Sequence, residues 1–309
     1  MASIRIGTRG SPLALRQAEL VVRSLSALGP PGPLEIVPIK TSGDRLAHVS
    51  LGDFGGKGLF VREIEQALLT GEVDLAVHSL KDLPASATAG LALAAYPARE
   101  DPRDVLLSRT GGGLAVLRSG AVVGTSSLRR RVLLLGLRPD LRIEPIRGNL
   151  DTRLRKLEAG AYDALVLAAA GLRRLGLLGD HAELLSPEEF IPAAGQGILA
   201  VQIRAGDRRL LDLLRGLDHV ETRWEAEAER AFLAHLGASC HTPVAGHARV
   251  CRGALRLVGL VASLDGRRAV RGEVEGASEA GSILGQKLAE DLRARGADEL
   301  LRAVGGRSP

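Results

Sequence analysis

Aromatic side chains are scarce in this 309-residue chain: four Phe, two Tyr and one Trp make up 2% of it. That excludes a stacking platform for single-stranded nucleic acid, which needs several exposed rings. The core falls to Leu, Val, Ile and Ala. Cysteine is rarer still. Cys240 and Cys251 are too few to staple a chain this long and read as reduced thiols of a soluble cytoplasmic protein. No apolar run approaches the ~20 residues of a membrane span. The opening Met1-Ala2-Ser3-Ile4-Arg5-Ile6-Gly7 reads as a strand, without the basic, apolar and small-residue order of a secretory leader. Lysine is the last shortage, since only five of the 41 basic residues are Lys and 36 are Arg.

What remains is an ordinary globular balance, 45% hydrophobic and 25% charged, which excludes disorder and fibrous repeats. The length suits two or three domains. The net charge of +5 is spread unevenly: from Arg103 to Arg174, thirteen Arg and one Lys face six acidic residues, a local +8 against −3 elsewhere. Guanidiniums concentrated in this way, with no local counterweight, predict a cleft for carboxylates or polyanions, which arginine grips bidentately.

The first hundred residues alternate strand and helix signals. Strands are expected at Ile4–Thr8, Leu34–Lys40, Val73–Val77 and Leu91–Tyr96. Ser11-Pro12 caps a helix whose stripe is Ala14, Ala18, Val21, Leu25 and Leu28, with Gly29 as its stop. A second helix covers Leu59–Leu69. The same grammar restarts near Arg103, with strands at Val122–Gly124, Ile143–Ile146, Ala164–Leu167 and Ile198–Arg204. Helices are expected over Leu128–Leu135, Leu150–Ala159 and from Asp207 to Gly216. Thr222 with Glu225 reads as a capping box opening a helix to Leu236. Antiparallel strands Val258–Leu264 and Ala269–Val274 and a helix Ser278–Arg295 close the chain. The fold class is α/β: two doubly wound domains with parallel strands, then a small α+β domain with an antiparallel sheet. The boundaries are residues 1–97 with 198–216, then 98–197, then 217–309. Ligands of such sheets bind at loops leaving the carboxyl ends of strands.

Six segments carry candidate chemistry, four of them at strand exits. Val77-His78-Ser79-Leu80-Lys81-Asp82-Leu83-Pro84 follows an apolar strand, and its one carboxylate, Asp82, could stabilise a cation or relay a proton; the plainer reading is a pair with Lys81 or a helix cap. His78 is assigned no role. Gly55-Gly56-Lys57-Gly58-Leu59-Phe60 suits a flexible anion loop but lacks the spacing of a P-loop. Gly124-Thr125-Ser126-Ser127-Leu128-Arg129-Arg130 joins a strand to a helix start, and Arg147-Gly148-Asn149 with Arg153 repeats the arrangement at the next exit. Arg9 and Ser11, at the first exit, add to the same cationic set. In Gly237-Ala238-Ser239-Cys240-His241-Thr242-Pro243 the cysteine follows a helix in a small-residue loop and is accessible. A nucleophile pair with His241, a zinc site with His241, His247 and Cys251, and a tether for a prosthetic group all remain open on these residues.

Taken in order, these segments, with Thr8-Arg9-Gly10-Ser11-Pro12-Leu13-Ala14 and Pro192-Ala193-Ala194-Gly195-Gln196-Gly197, resemble the porphobilinogen deaminase family over essentially the whole chain. The resemblance implies two domains like periplasmic binding proteins, a third domain, and a dipyrromethane cofactor joined by thioether to Cys240, with no metal. It implies head-to-tail condensation of four porphobilinogen molecules with loss of ammonia, then hydrolytic release of hydroxymethylbilane, by a monomer without nucleic-acid or membrane partners. Each pyrrole carries acetate and propionate groups, which accounts for arginines without stacking rings. By resemblance Arg9, Ser11, Lys81, Thr125, Ser127, Arg129, Arg130, Arg147, Arg153 and Arg174 hold those carboxylates, Gly148 lies against the cofactor, and Phe60 and Gln196 line the pocket. Loss of ammonia leaves an azafulvene, and attack on it gives a pyrrole-centred cation that Asp82 stabilises. One departure is Asp53, where many relatives have a lysine. A two-lobed carboxylate-binding module without catalysis is the alternative.

Overall fold

The computed structural model of the chain describes residues 3–42, 61–179, 182–239 and 242–305. Its packing separates into two units, Met1–Glu100 with Ile198–Arg223 and Asp101–Gly197 with Trp224–Pro309. The chain first forms β1 (Ile4–Arg9), α1 (Pro12–Ala27), β2 (Leu34–Ile39), α2 (Arg62–Leu69), β3 (Leu75–Ser79) and β4 (Leu91–Ala95). Next come β5 (Asp104–Ser108), β6 (Val122–Gly124), α3 (Leu128–Leu137), β7 (Arg142–Glu144), α4 (Leu150–Glu158), β8 (Ala164–Ala168), α5 (Ala169–Arg174) and β9 (Ala182–Leu184). It continues through β10 (Leu199–Arg204), α6 (Arg208–Leu214), α7 (Val220–Leu236), β11 (Val244–Cys251), β12 (Ala254–Ala262), β13 (Ala269–Ala277), α8 (Gly281–Ala294) and α9 (Ala297–Gly305). Among the described residues no helix is long and apolar enough to cross a membrane.

In the first unit the sheet order is β2-β1-β3-β10-β4. Ile4 and Ile6 of β1 and Leu75 and Val77 of β3 face Ala18, Val21 and Leu25 of α1 in one buried cluster. Each Ile, Leu or Val side chain so removed from water contributes ~1.5–3 kcal/mol. Leu28 is not part of that stripe: it caps the helix and is 41% exposed. Gly29, at φ +67°, ends the helix as expected of a left-handed glycine. The third strand begins at Leu75 rather than Val73, because the Val73 N–H goes to Ala67 O at 3.2 Å and the Asp74 N–H to Arg5 O at 2.8 Å. That shift carries His78 and Ser79 into the strand. Nor are the strands all parallel. β10 runs antiparallel to both β3 and β4, since the chain returns to this sheet after the excursion through residues 101–197.

The second unit repeats the pattern, with sheet order β7-β6-β8-β5-β9 and β5 antiparallel to its neighbours β8 and β9. Three short elements of this unit, β5, α5 and β9, have no counterpart among the expected strands and helices. β11, β12 and β13 form a separate antiparallel sheet. A β11–β12 turn with Arg252 at φ 52° and Gly253 at φ 81° suits the right-handed strand twist. α8 lies close on α7: a Cβ at Gly281 would stand 2.6 Å from the Trp224 carbonyl oxygen, and one at Gly285 would strike that of Ala228. The capping box does not form. α7 starts at Val220, and the buried Thr222 hydroxyl accepts the Arg99 N–H at 3.0 Å. Glu225 instead accepts the Val250 N–H of β11 at 3.1 Å. Beyond the expected end of the last helix, Gly296 at φ +98° breaks the chain and α9 follows.

Candidate active site

In the first unit, β1 ends at Arg9 and the Ser11 hydroxyl caps α1 by accepting the Ala14 N–H at 3.3 Å. Pro12 fits at the first helical turn, where its missing N–H costs nothing. From α1 the buried Gln17 amide donates to Ser79 Oγ at 2.9 Å, tying the helix to the end of β3. The chain then makes a 3₁₀ turn, Leu80–Asp82. Leu80 is its anchor: the side chain is buried and the N–H donates to Ile198 O at 2.9 Å. Asp82 is thereby held on a fixed backbone with its side chain exposed. Among the described residues it makes no hydrogen bond or ion pair, so the pairing with Lys81 does not form. Thr8, Arg9, Ser11, Gln17, Ser79 and Asp82 line one cleft of this unit. His78 also borders the cleft, and burial lowers its imidazole pKa to about 4, outweighing an opposing interaction with the Gln202 side chain. Lys57 and Phe60 lie outside the described residues, as does Asp53.

In the second unit, Gly124 ends β6 where a Cβ would meet Leu165 Cδ2 at 2.6 Å, so any side chain there would displace Leu165 and Tyr162. Ser127 caps α3 by accepting the Arg130 N–H at 3.4 Å, and Thr125 Oγ1 accepts the Ser127 N–H at 3.2 Å. Ser126, which the sequence left without a role, staples the next exit: its hydroxyl donates to Ile146 O at 2.7 Å and accepts the Ile146 N–H at 3.1 Å. At that exit Gly148 takes φ +106°, a conformation favouring glycine, and its carbonyl accepts Arg153 Nε at 2.8 Å. Arg174 donates to Gly197 O at 2.7 Å.

The structure revises the arginine segment at its centre. Arg129 and Arg130 were expected to be open to outside carboxylates, but both reach an internal one. Arg129 Nη1 donates to Asp104 Oδ2 at 2.6 Å and to Ile191 O at 2.9 Å. Arg130 Nε donates to Asp104 Oδ1 at 2.9 Å, its Nη2 lies 2.8 Å from the same oxygen, and its Nη1 donates to Val166 O at 2.9 Å. Asp104 is fully buried, so the segment does have a local counterweight. Burial pushes this carboxyl up; the two guanidinium charges, with hydrogen bonds from Arg129 and Gln196, outweigh it and hold the pKa at about 2. Burial in turn lowers the Arg130 pKa, opposed by Asp104. Gln196 does not line an open pocket. It is 1% exposed, and its amide donates to Pro102 O at 2.7 Å and Asp104 Oδ1 at 3.1 Å. Asp104 was missed because it opens a five-residue strand that reads as loop, and nothing local sets it apart from Glu100 and Asp101 just before it.

Cys240 and His241 lie outside the described residues. Of the other residues in the zinc reading, His247 Nδ1 is 3.4 Å from Glu229 Oε1 and Cys251 is exposed. Among the described residues no three potential ligands gather.

The profile of the porphobilinogen deaminase dipyrromethane cofactor-binding domain matches residues 4–212, and that of the porphobilinogen deaminase C-terminal domain matches residues 224–294. The porphobilinogen deaminase of Syntrophotalea carbinolica is 48% identical over 303 residues, 98% of this chain and 96% of its own. That of Nitratidesulfovibrio vulgaris (strain Hildenborough) is 50% identical over 308 residues, 98% of this chain and 97% of its own. Among solved structures, the ligand-binding component of an ABC-type import system from Staphylococcus aureus matches 75% of this chain and 77% of its own, at 13% identity and a TM-score of 0.41. On the two profiles and the near-full-length relatives, the chain belongs to the porphobilinogen deaminase family.

Proposed function

We propose that the chain is a hydroxymethylbilane synthase of tetrapyrrole and haem biosynthesis. It condenses four porphobilinogen molecules head to tail, releasing ammonia each time, on a covalently held dipyrromethane, and frees hydroxymethylbilane by hydrolysis. The observation that carries this reading is Asp82, an exposed carboxylate on a fixed strand-exit turn with no partner among the described residues.

The donor set suits the group. A dipyrromethane bears acetate and propionate carboxylates, and Arg129 Nε is buried without an acceptor among the described residues. Thr125 and Ser127 stand at a helix N-terminus, where N–H groups and the helix dipole favour anions. In the second unit Thr125, Ser127, Arg129, Arg147 and Gly148 would hold the cofactor, with Arg130 acting behind them through Asp104, and Arg147, Arg153 and Arg174 would hold the substrate carboxylates. In the first unit Lys81 and Asp82 are assigned to the cofactor and Arg9, Ser11 and Phe60 to the substrate. Gln196 acts through Asp104. Cys240 is the tether. The dipyrromethane supplies, when bound, the electron-rich pyrrole carbon to which the first substrate is added.

The residues' own work follows from charge. Departure of ammonia from the aminomethyl carbon of porphobilinogen leaves positive charge spread over the pyrrole and its N–H. Asp82 accepts a hydrogen bond from such an N–H and offsets that charge, which lowers the barrier more than it strengthens ground-state binding. The arginines fix the ring through its carboxylates, so the reacting carbons meet in one orientation. The chain works as a cytoplasmic monomer without nucleic acid, in three domains divided near residues 97, 197 and 216.

Supplying porphobilinogen to the purified chain tests the reading. One ammonia per porphobilinogen consumed, with hydroxymethylbilane as product, is expected. Porphobilinogen bound but recovered unchanged would make the chain a binding module instead.

A further inference from the structure

Arg129 and Arg130 are adjacent in sequence but not equivalent in the structure. All three nitrogens of Arg130 are engaged, by Asp104 Oδ1 and Val166 O. Arg129 meets its acceptors, Asp104 Oδ2 and Ile191 O, through Nη1 alone. Its Nε is buried with no partner among the described residues, and the Phe190 ring backs the guanidinium at 5.9 Å. The Nε–Nη2 edge, the side of the fork that matches a carboxylate's two oxygens, is therefore left over. What leaves it over is Asp104: its two oxygens divide between the arginines, and the Gln196 amide fixes the carboxylate from a third direction.

We propose that Asp104 is a positioning residue for the carboxylate-binding face of this unit. By taking up Arg130 completely and one nitrogen of Arg129, it aims the remaining edge of Arg129 at a ligand carboxylate. Gln196 serves the same end by orienting Asp104. Without the buried anion the two cations would repel at close range and turn elsewhere, so no bidentate edge would be presented. The inference rests on the reading that this unit holds the dipyrromethane carboxylates.

The test is the fraction of purified full-length chain that carries the covalent adduct, read by intact mass. Asp104→Asn keeps the shape and removes the charge; Gln196→Met removes only the orienting amide. Leu106→Ala takes volume from the same strand without removing any polar member of the cluster, and so reports the loss that destabilisation alone causes. The expected result is adduct lowered at least tenfold in Asp104→Asn and several-fold in Gln196→Met, with Leu106→Ala close to wild type. Loading of Asp104→Asn within twofold of Leu106→Ala would overturn the inference. If Asp104→Asn yields no folded protein, Gln196→Met decides alone, and wild-type loading there overturns it. A wild-type chain without adduct would instead overturn the underlying reading, and this inference with it.

Discussion

Asp104 and Gln196 stand 92 residues apart in the chain, yet the Gln196 amide donates to Asp104 Oδ1 at 3.1 Å. The bond joins a motif that the sequence flags, Pro192 to Gly197, to a residue that it does not. It also closes a buried cluster whose one anion neutralises part of the most basic segment of the chain.

The Asp104 carboxyl, held at about 2 against an ordinary 3.8, makes the second unit acid-sensitive. A carboxylate whose folded pKa is depressed contributes stability that is present above its unfolded pKa and is lost as pH falls through the folded one. Urea unfolding of the wild type should therefore weaken between about pH 4 and pH 2. Asp104→Asn should be less stable at neutral pH, with the gap to wild type narrowing over that window. A gap that stays constant would mean that Asp104 titrates normally.

His78 gives a second window. Burial takes its imidazole from 6.5 to about 4, so between these values the unfolded chain binds a proton that the folded chain does not. Stability should fall as pH drops from about 6.5 to 4. His78→Gln should flatten that slope, and an equal slope in both proteins would contradict the assignment.

Asp82→Asn retains shape and hydrogen-bonding capacity but loses the charge and the proton-accepting site. We expect an unchanged melting temperature, a retained cofactor, and kcat lower by on the order of 10²-fold or more. Asp82→Glu should keep partial activity, because the charge survives slightly displaced. Near-normal turnover in the Asn variant with a lowered melting temperature would make Asp82 a structural residue.

Gly285 tests the packing of the C-terminal layer. A side chain there would strike the Ala228 carbonyl of α7, and Gly285→Val should cost roughly 1–3 kcal/mol through overpacking. Denaturant titration checks this, and a variant as stable as wild type would mean that the two helices separate freely.

Much of the positioning was legible in the chain. Ser11-Pro12 announced α1 because cap and proline act locally, and the run Gly124 to Arg130 announced a strand-to-helix exit for the same reason. What was not legible is long-range. Nothing around Asp104 says that its partners lie 25 and 26 residues on, and a five-residue strand headed by a charge resembles a loop. Thr222 misled in the opposite way: the capping pattern is local, but its hydroxyl is taken by the backbone of Arg99, 123 residues earlier. The role of Cys240 came from the family resemblance rather than from the residues, which left nucleophile, zinc ligand and tether all open.

Attachment of a dipyrromethane by thioether to Cys240 is decided by the intact mass of the wild type beside Cys240→Ala and Cys251→Ala. A mass above that of the sequence is expected in the wild type and in Cys251→Ala, with a red colour in acidic Ehrlich reagent. Cys240→Ala should show the bare sequence mass. An adduct that survives Cys240→Ala and disappears in Cys251→Ala, or active protein with no adduct at all, would contradict it.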